Sequence, residues 1–324
     1  MAASSNPNYA VRTEPYGTAA IAAAADIILR GGCVAMPTET VYGLAADATS
    51  ARGVAAIYAA KKRPDFNPLI VHVADIAMAR TLVAWSDMVD RLADAFWPGP
   101  LTLVLPRLPA CPVTVAASAG LPTLAVRCPA HPAMRDLIVA SGHPLAAPSA
   151  NRSGAISPTS AAHVRASLGD AIPLIVDGGP CAIGLESTII MPLADHVVIL
   201  RPGPVTASAI AAICGLPVRV SQYTGAITAP GMMASHYSPQ KPLFLNVTVP
   251  APGQFHIGFG RISGDFNLSR AANLAEAAAQ LFAALHIADA SDCASIAVAP
   301  IPETGPENGM AAAIMDRLRR AAHP

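Results

Sequence analysis

Pro37-Thr38-Glu39-Thr40-Val41-Tyr42-Gly43-Leu44 follows directly on the apolar run 33–36. That run reads as a strand end, and at Pro37 it breaks into a polar turn crowded with hydroxyls and one carboxylate. A second stretch begins at Lys61 and reads Lys-Lys-Arg-Pro-Asp-Phe-Asn-Pro-Leu-Ile-Val-His-Val. Two basic side chains, Lys61 and Arg63, lead through a proline-punctuated loop into an apolar strand ending near His72. Both stretches deliver polar groups to strand ends, where open α/β sheets bind their ligands. The chemistry they suit is a phosphorylated ligand beside a small polar molecule.

Outward from these stretches, residues 18–30 read as a helix stopped by Gly31-Gly32. Residues 50–62 read as a second, with Ser50 as N-cap and Arg63-Pro64 as its end. Strands are expected at 69–73, 101–105, 123–127, 144–147, 173–176, 187–191 and 197–200. Helices are expected at 86–96, 131–141, 158–168 and 206–214. Several strands adjoin with no helix between them, so the expected fold is α/β of the α+β type, built on a twisted, mixed, open sheet. Gly215 closes this first domain, placed at 12–215. Residues 216–240 carry little regular pattern and read as a linker. From 241 to 324 strands at 243–247, 254–259 and 295–299 alternate with helices at 268–285 and 309–321, which makes a smaller α/β domain.

The 324 residues are 53% apolar and only 13% charged, an alanine-rich composition able to form a real core. Lys plus Arg and Asp plus Glu number 21 each, so no global field draws the chain to nucleic acid or anionic lipid. Any basic groove is local. Six scattered cysteines without a Cys-x-x-Cys pair point away from a zinc site or a disulfide framework. The first ten residues are polar and lack a signal-peptide core, and the apolar stretch 19–29 contains Asp26 and is too short to span a bilayer. The cytoplasm is expected, with no membrane partner. No Gly-x-x-x-x-Gly-Lys-Ser/Thr loop is present, which argues against a P-loop kinase.

Further motifs follow in order: Trp97-Pro98-Gly99-Pro100-Leu101-Thr102, Ala125-Val126-Arg127, Ala147-Pro148-Ser149-Ala150-Asn151-Arg152-Ser153-Gly154, Leu185-Glu186-Ser187-Thr188-Ile189 and Leu200-Arg201-Pro202-Gly203. Together with Pro37–Leu44, Lys61-x-Arg63-Pro64 and Leu69-Ile70-Val71-His72, the ordered set resembles the YrdC-like threonylcarbamoyl-adenylate synthase family. It spans roughly the first two thirds of the chain, and the C-terminal unit matches the family's larger two-domain members. The resemblance implies a nucleotidyltransferase: L-threonine, bicarbonate and ATP give threonylcarbamoyl-adenylate and pyrophosphate. Magnesium is implied on the triphosphate, held mostly by phosphate and water. The activated group is implied to pass to a tRNA threonylcarbamoyl transferase complex, with at most weak RNA contact by this chain. An RNA-binding module without synthase activity is the rival reading, disfavoured by balanced charge and few aromatics.

The same resemblance assigns residues. Lys61 and Arg63 are the expected phosphate clamp and catalytic pair, against the plainer reading of a solvated basic helix end. ATP contacts are implied for Arg63, Asn67, Thr123, Ser149, Asn151, Ser157, Arg201 and His236. Ser149 and Asn151 also suit ordinary turn chemistry, and Ser157 also suits an N-cap. The threonine pocket is implied to be Thr40, His72, Arg127, the backbone at Ala147, and Ser187, with Arg127 on the carboxylate. Glu39, Asp177 and Glu186 are open as metal or amine partners. The stretch 230–239, with His236 and Tyr237, is implied to fold over the site as a lid.

Overall fold

The computed structural model describes residues 11–64, 66–221, 236–303 and 308–323. The first unit opens with β1 (Arg12–Pro15), α1 (Thr18–Leu29), β2 (Val34–Met36), β3 (Gly43–Asp47), α2 (Ala51–Lys61), β4 (Ile70–His72) and α3 (Ile76–Arg80). It continues with α4 (Asp87–Phe96), β5 (Leu101–Pro106), β6 (Thr123–Arg127), α5 (Pro132–Ser141), β7 (Leu145–Ala146) and α6 (Ala161–Leu168). It closes with β8 (Leu174–Asp177), β9 (Thr188–Pro192), β10 (Val197–Arg201), α7 (Ala207–Cys214) and β11 (Val218–Val220). Among the described residues these strands form one 11-stranded sheet in the order β1-β8-β2-β3-β7-β4-β6-β5-β9-β10-β11. β4 and β6 run parallel, as do β5 and β9, whereas β5–β6, β4–β7 and β9–β10 are antiparallel. The mixed sheet expected from adjoining strands is what forms.

Hydroxyl caps set the helix starts. Ser50 Oγ accepts from the Gly53 N–H at 3.1 Å, Ser160 Oγ from the His163 N–H at 3.3 Å and Thr206 Oγ1 from the Ala209 N–H at 3.2 Å. Each satisfies a backbone donor that the first helical turn leaves unpaired. The helix expected from 158 therefore begins three residues later, and Ser160, not Ser157, is its cap. Among the strands and α-helices up to α7, three carry no sequence expectation. β1 is a mostly exposed polar edge strand, β3 is small and wholly buried, and α3 is a five-residue turn of helix capped by Asp75.

Side-chain alternation divides the two sheet faces. Val71, Leu103, Val126 and Ile190 point into the main core, which α2, α4 and α7 cover. On the other face α1 and α5 pack over Val34, Met36, Leu145, Leu174 and Val176. That cover stops at the centre of the sheet. Beyond it, Ile70, Val104, Ala125 and Ile189 form a small apolar patch to which no helical residue belongs. A floor of strands without a helix above it is where a ligand can lie.

The second unit comprises β12 (Leu243–Phe244), β13 (Gln254–Gly258), β14 (Phe266–Asn267), α8 (Leu274–Ala290), β15 (Ser295–Val298) and α9 (Asn308–Ala321). Its four strands are parallel, in the order β12-β15-β13-β14. The helix expected at 268–285 is displaced to α8. Asn273 Oδ1 accepts from the Glu276 N–H at 2.9 Å and fixes the start, while the residues before it turn through β14. The residues expected to lack pattern after 217 open with β11, which pairs parallel with β10. Residues 222–235, most of the expected linker, lie outside the described residues.

The units share one apolar cluster: Val41, Ile156 and Leu185 from the first pack with Phe255, Leu281, Phe282 and Ile314 from the second. Gly184 lets α8 approach closely. A Cβ there would stand 2.5 Å from Ala279 Cα, and its φ is +74°. The rings of His163 and His286 also stack across the boundary at 3.9 Å.

Candidate functional site

The turn at Pro37 is held by its own hydroxyls. Thr38 Oγ1 donates to Val41 O at 2.6 Å and stands 2.8 Å from Thr40 Oγ1. Backbone bonds then stitch the stretch to the 148–150 loop: Leu44 N–H to Pro148 O at 2.7 Å and Ala150 N–H to Tyr42 O at 2.7 Å. The Pro37–Leu44 and Ala147–Gly154 motifs thus become neighbours. Register supplies the rest, since β4 and β6 pair His72 with Arg127 at their C-terminal ends.

A cavity opens here over the helix-free floor. Thr40, Arg63, His72, Arg127, Ala147, Ser149, Arg201 and His236 line it, together with Val41, Ile70, Pro148, Glu186 and Tyr237. Members of both expected groups, nucleotide and amino acid, therefore line one cavity. Arg127 Nη2 donates to Glu39 Oε1 at 2.5 Å and its Nε to Gly99 O at 3.2 Å. Burial pushes the Glu39 carboxyl up, but the Arg127 ion pair outweighs it and holds the group below the usual range. His72 is pushed down to about 3, first by burial and then by Arg127, so its imidazole is neutral. Its Nδ1 is buried without a partner among the described residues, as are His236 Nδ1 and the Tyr237 hydroxyl. Buried polar atoms of this kind are costly unless something bonds them.

The cations converge on the same cavity. Arg63 is pushed down to about 10, chiefly by burial, and spends Nε and Nη2 on Asn67 O at 3.3 Å and Pro68 O at 3.0 Å. Arg201 bonds Ser187 O through Nε and Nη2 at 3.1 and 3.0 Å. Lys61 is almost wholly buried at 1% exposure, and its Nζ donates to Ser149 O at 2.6 Å and Asn151 O at 2.5 Å. It stands behind the 148–151 loop and acts on the cavity through it. His236 shows the combined field: burial first, then Lys61, Arg63, Arg201 and Arg317, hold it well below the ordinary histidine value. Such a site favours an anion.

The remaining expected residues are not among those that line the cavity. Thr123 shares a sheet face with Ala125 and Arg127 but opens β6 at its far end, half-buried. Asn67 is buried where the Arg63 guanidinium grips its carbonyl. Asn151 Nδ2 donates to Ala155 O at 2.7 Å and shapes its own loop. Ser157 Oγ donates to Glu186 Oε1 at 2.6 Å, and Ser187 Oγ lies 2.7 Å from Thr102 Oγ1. Ala147 gives its N–H to Ile70 O at 3.0 Å, so a ligand contact there uses the carbonyl or the methyl. Asp177 turns away, accepting from the Gly179 N–H at 2.9 Å. Of the expected lid, 230–235 lie outside the described residues, while His236 and Tyr237 reach the cavity.

Sequence reasoning missed Arg317. It is wholly buried and its Nε donates to Glu186 Oε2 at 3.0 Å. A signal existed: Met310, Ala313, Ile314, Leu318 and Ala321 mark an apolar helical stripe, and Arg317 occupies its i+7 position. A magnesium site on protein ligands does not fit these residues. Among those described, no three His, Cys, Asp or Glu side chains group to hold a metal. Glu39 and Glu186, the two carboxylates at the groove, are each taken by an arginine.

Comparison with known proteins identifies the family and the fold. A family model described as "Telomere recombination" (Sua5/YciO/YrdC) matches residues 26–203, and one described as "Threonylcarbamoyl-AMP synthase, C-terminal domain" matches residues 205–323. A threonylcarbamoyl-AMP synthase of Bacillus subtilis is 41% identical, over 93% of this chain and 92% of its own. One of Pyrococcus abyssi is 37% identical, over 92% and 93%. The crystal structure of P. abyssi Sua5 complexed with L-threonine superposes with a TM-score of 0.86 at 35% identity, covering 96% of this chain and 97% of that one.

Proposed function

The chain belongs to the Sua5/YrdC family of threonylcarbamoyl-AMP synthases, and on that footing we propose how its groove performs the family's reaction. The enzyme converts L-threonine, bicarbonate and ATP into threonylcarbamoyl-adenylate, pyrophosphate and water, for modification of tRNA. One observation carries the assignment of the site. Arg63 and Arg201, with Lys61 behind the loop, converge on a cavity whose other wall is Thr40, His72 and Arg127.

In this reading the threonine amine condenses with bicarbonate, and water leaves as the carbamate forms. A carbamate oxygen then attacks the α-phosphorus of ATP. The bond from that phosphorus to the bridging oxygen breaks, and pyrophosphate departs with the electron pair. The protein has little covalent work to do, so positioning and charge stabilisation dominate. Arg127 takes the threonine carboxylate with the N–H groups that Glu39 and Gly99 leave over, while Thr40, Ser187, the neutral His72 and Ala147 shape the pocket. Arg63, Lys61 and Arg201 offset the phosphate charge, and Asn67, Thr123, Ser149, Asn151, Ser157 and His236 place the nucleotide. Magnesium arrives on the triphosphate as part of the substrate. The adenylate, a reactive mixed anhydride, is handed to a separate transferase that acts on tRNA, and the work is placed in the cytoplasm. Among the described residues no helix is long and apolar enough to cross a membrane.

The test is the reaction itself. Purified protein with L-threonine, bicarbonate, ATP and magnesium is expected to release pyrophosphate and yield the adenylate by mass, only when threonine and bicarbonate are both present. Pyrophosphate release that ignores threonine would overturn the assignment.

A further inference from the structure

Arg317 belongs to α9 of the second unit, yet its guanidinium ends in the wall of the first unit's groove. We propose that Arg317 is a positioning residue for the nucleotide. It holds the Glu186 carboxylate away from the phosphate-binding cations, so that docking of the C-terminal unit is what leaves the groove positive. The ligand's identity rests on the synthase reading above.

Three features of the geometry support this. First, both oxygens of Glu186 are committed. Oε2 accepts from Arg317 Nε at 3.0 Å and Oε1 from Ser157 Oγ at 2.6 Å. Second, Arg317 grips backbone directly beside Arg201, at the end of β10, and beside its partner Ser187, just before β9. Its Nη1 donates to Pro202 O at 2.6 Å and its Nη2 to Glu186 O at 3.4 Å. Pro202 adjoins Arg201, and Glu186 adjoins Ser187, the residue Arg201 itself holds. Third, the guanidinium carbon lies over the Tyr237 ring, 5.7 Å from its centre, and Tyr237 lines the cavity. One buried cation thus touches three segments that meet around the nucleotide groups.

The charge balance gives the arrangement its consequence. Glu186 lines the cavity and is 6% exposed. Arg317 also meets Asp316 at 3.0 Å, but Asp316 has Arg320 as a second partner at 3.0 Å, so Arg317 offsets Glu186, and Arg63, Arg201 and Lys61 keep their charge for phosphate. Without that pair a buried carboxylate faces the same cavity. It then repels the triphosphate or takes a cation from it, which weakens anion binding selectively. An arginine that merely glued the units together would bury as well, but its loss would affect both substrates alike.

Four variants of the whole chain test this: Arg317→Met, Arg317→Lys, Glu186→Gln and the double variant Glu186→Gln/Arg317→Met. ATP dissociation constants are measured by calorimetry, and KM for ATP and for threonine by pyrophosphate release. Arg317→Met is expected to weaken ATP binding by about tenfold or more, with the threonine KM changed by less than about threefold. The double variant is expected to recover most of that loss, because the stranded carboxylate is gone. Arg317→Lys, which keeps the charge and loses the fork, falls between. An unchanged ATP constant, equal losses for both substrates, or a double variant as weak as Arg317→Met would each overturn the proposal. Should Arg317→Met fail to fold, the comparison of Arg317→Lys with Glu186→Gln/Arg317→Met distinguishes the same two outcomes. If the unmodified chain makes no adenylate, the synthase reading fails, and the ATP constants still decide the role of Arg317.

Discussion

Lys61 is a buried cation stationed at one remove from the cavity. Its two short bonds to Ser149 and Asn151 carbonyls fix the loop, and its charge reaches the cavity through that loop. Burial first, and then Arg63, hold its pKa well below the ordinary 10.5. Removing such a fixed charge from a site that stabilises a phosphoryl transition state costs about 10²–10³ in rate. Lys61→Met is therefore expected to lower kcat/KM by that order, measured by pyrophosphate release. The sign of the pH effect follows from the shift. The depressed pKa makes the ammonium lose its proton earlier as pH rises, so activity should fall on the alkaline side well before pH 10.5. Bound triphosphate, which favours the charged form, should move that limb upward. A kcat/KM, which reports the free enzyme, that stays flat to pH 10 would contradict the role given to this charge. Of the site residues, the hydroxyl turn and the Lys61-x-Arg63 run were legible because their types and order are unusual for plain helix ends and turns. That Lys61 faces carbonyls and not the cavity could not be read, since it depends on the 148–151 loop almost ninety positions away.

At the scale of elements, most strands and most helices of the first unit were legible, the helices from punctuation: Gly31-Gly32 after α1, Ser50 before α2, Thr206 and Gly215 around α7. Periodicity failed where burial or exposure was uniform. β3 is buried on both faces and small, while β1 is exposed at the edge, so neither alternates. Gly184 shows another kind of information that sequence alone conceals, a backbone approach between units. A side chain there would enter the backbone of α8 and also sit at φ +74°. Gly184→Ala is expected to destabilise the protein by about 2–4 kcal/mol, overpacking and left-handed strain together. Gly142 is the control. Its φ is +70° but the space around it is open, so Gly142→Ala bears the strain alone, about 1–2 kcal/mol. Chemical denaturation of both variants checks the difference, and equal losses would remove the packing argument.

For the whole molecule, the histidines set the acid limit. His72 is pushed down to about 3 and His163 to about 4, each mainly by burial, and His131, His236 and His286 are lowered by burial too. Above the ordinary histidine value both states hold these rings neutral and pH has no effect through them. Below about 6.5 the unfolded chain takes up protons that the folded one refuses. Stability then falls by up to about 1.4 kcal/mol per pH unit for each such ring, until the folded pKa is reached. The thermal midpoint is expected to drop steeply between pH 6.5 and 5, and His286→Gln, which removes one ring of the interunit stack, should flatten that slope. A midpoint independent of pH over this range would contradict the burial argument.

The shared apolar cluster limits how such proteins can be recombined. Val41 belongs to the Pro37 turn at the cavity by sequence and to the second unit's core by packing. The two units are therefore not interchangeable cassettes. A chimera that joins this first unit to a relative's second unit inherits a seam in which Val41, Ile156, Leu185 and Gly184 were shaped for another partner. Its earliest defect should be a misaligned substrate turn, long before either half loses its own sheet.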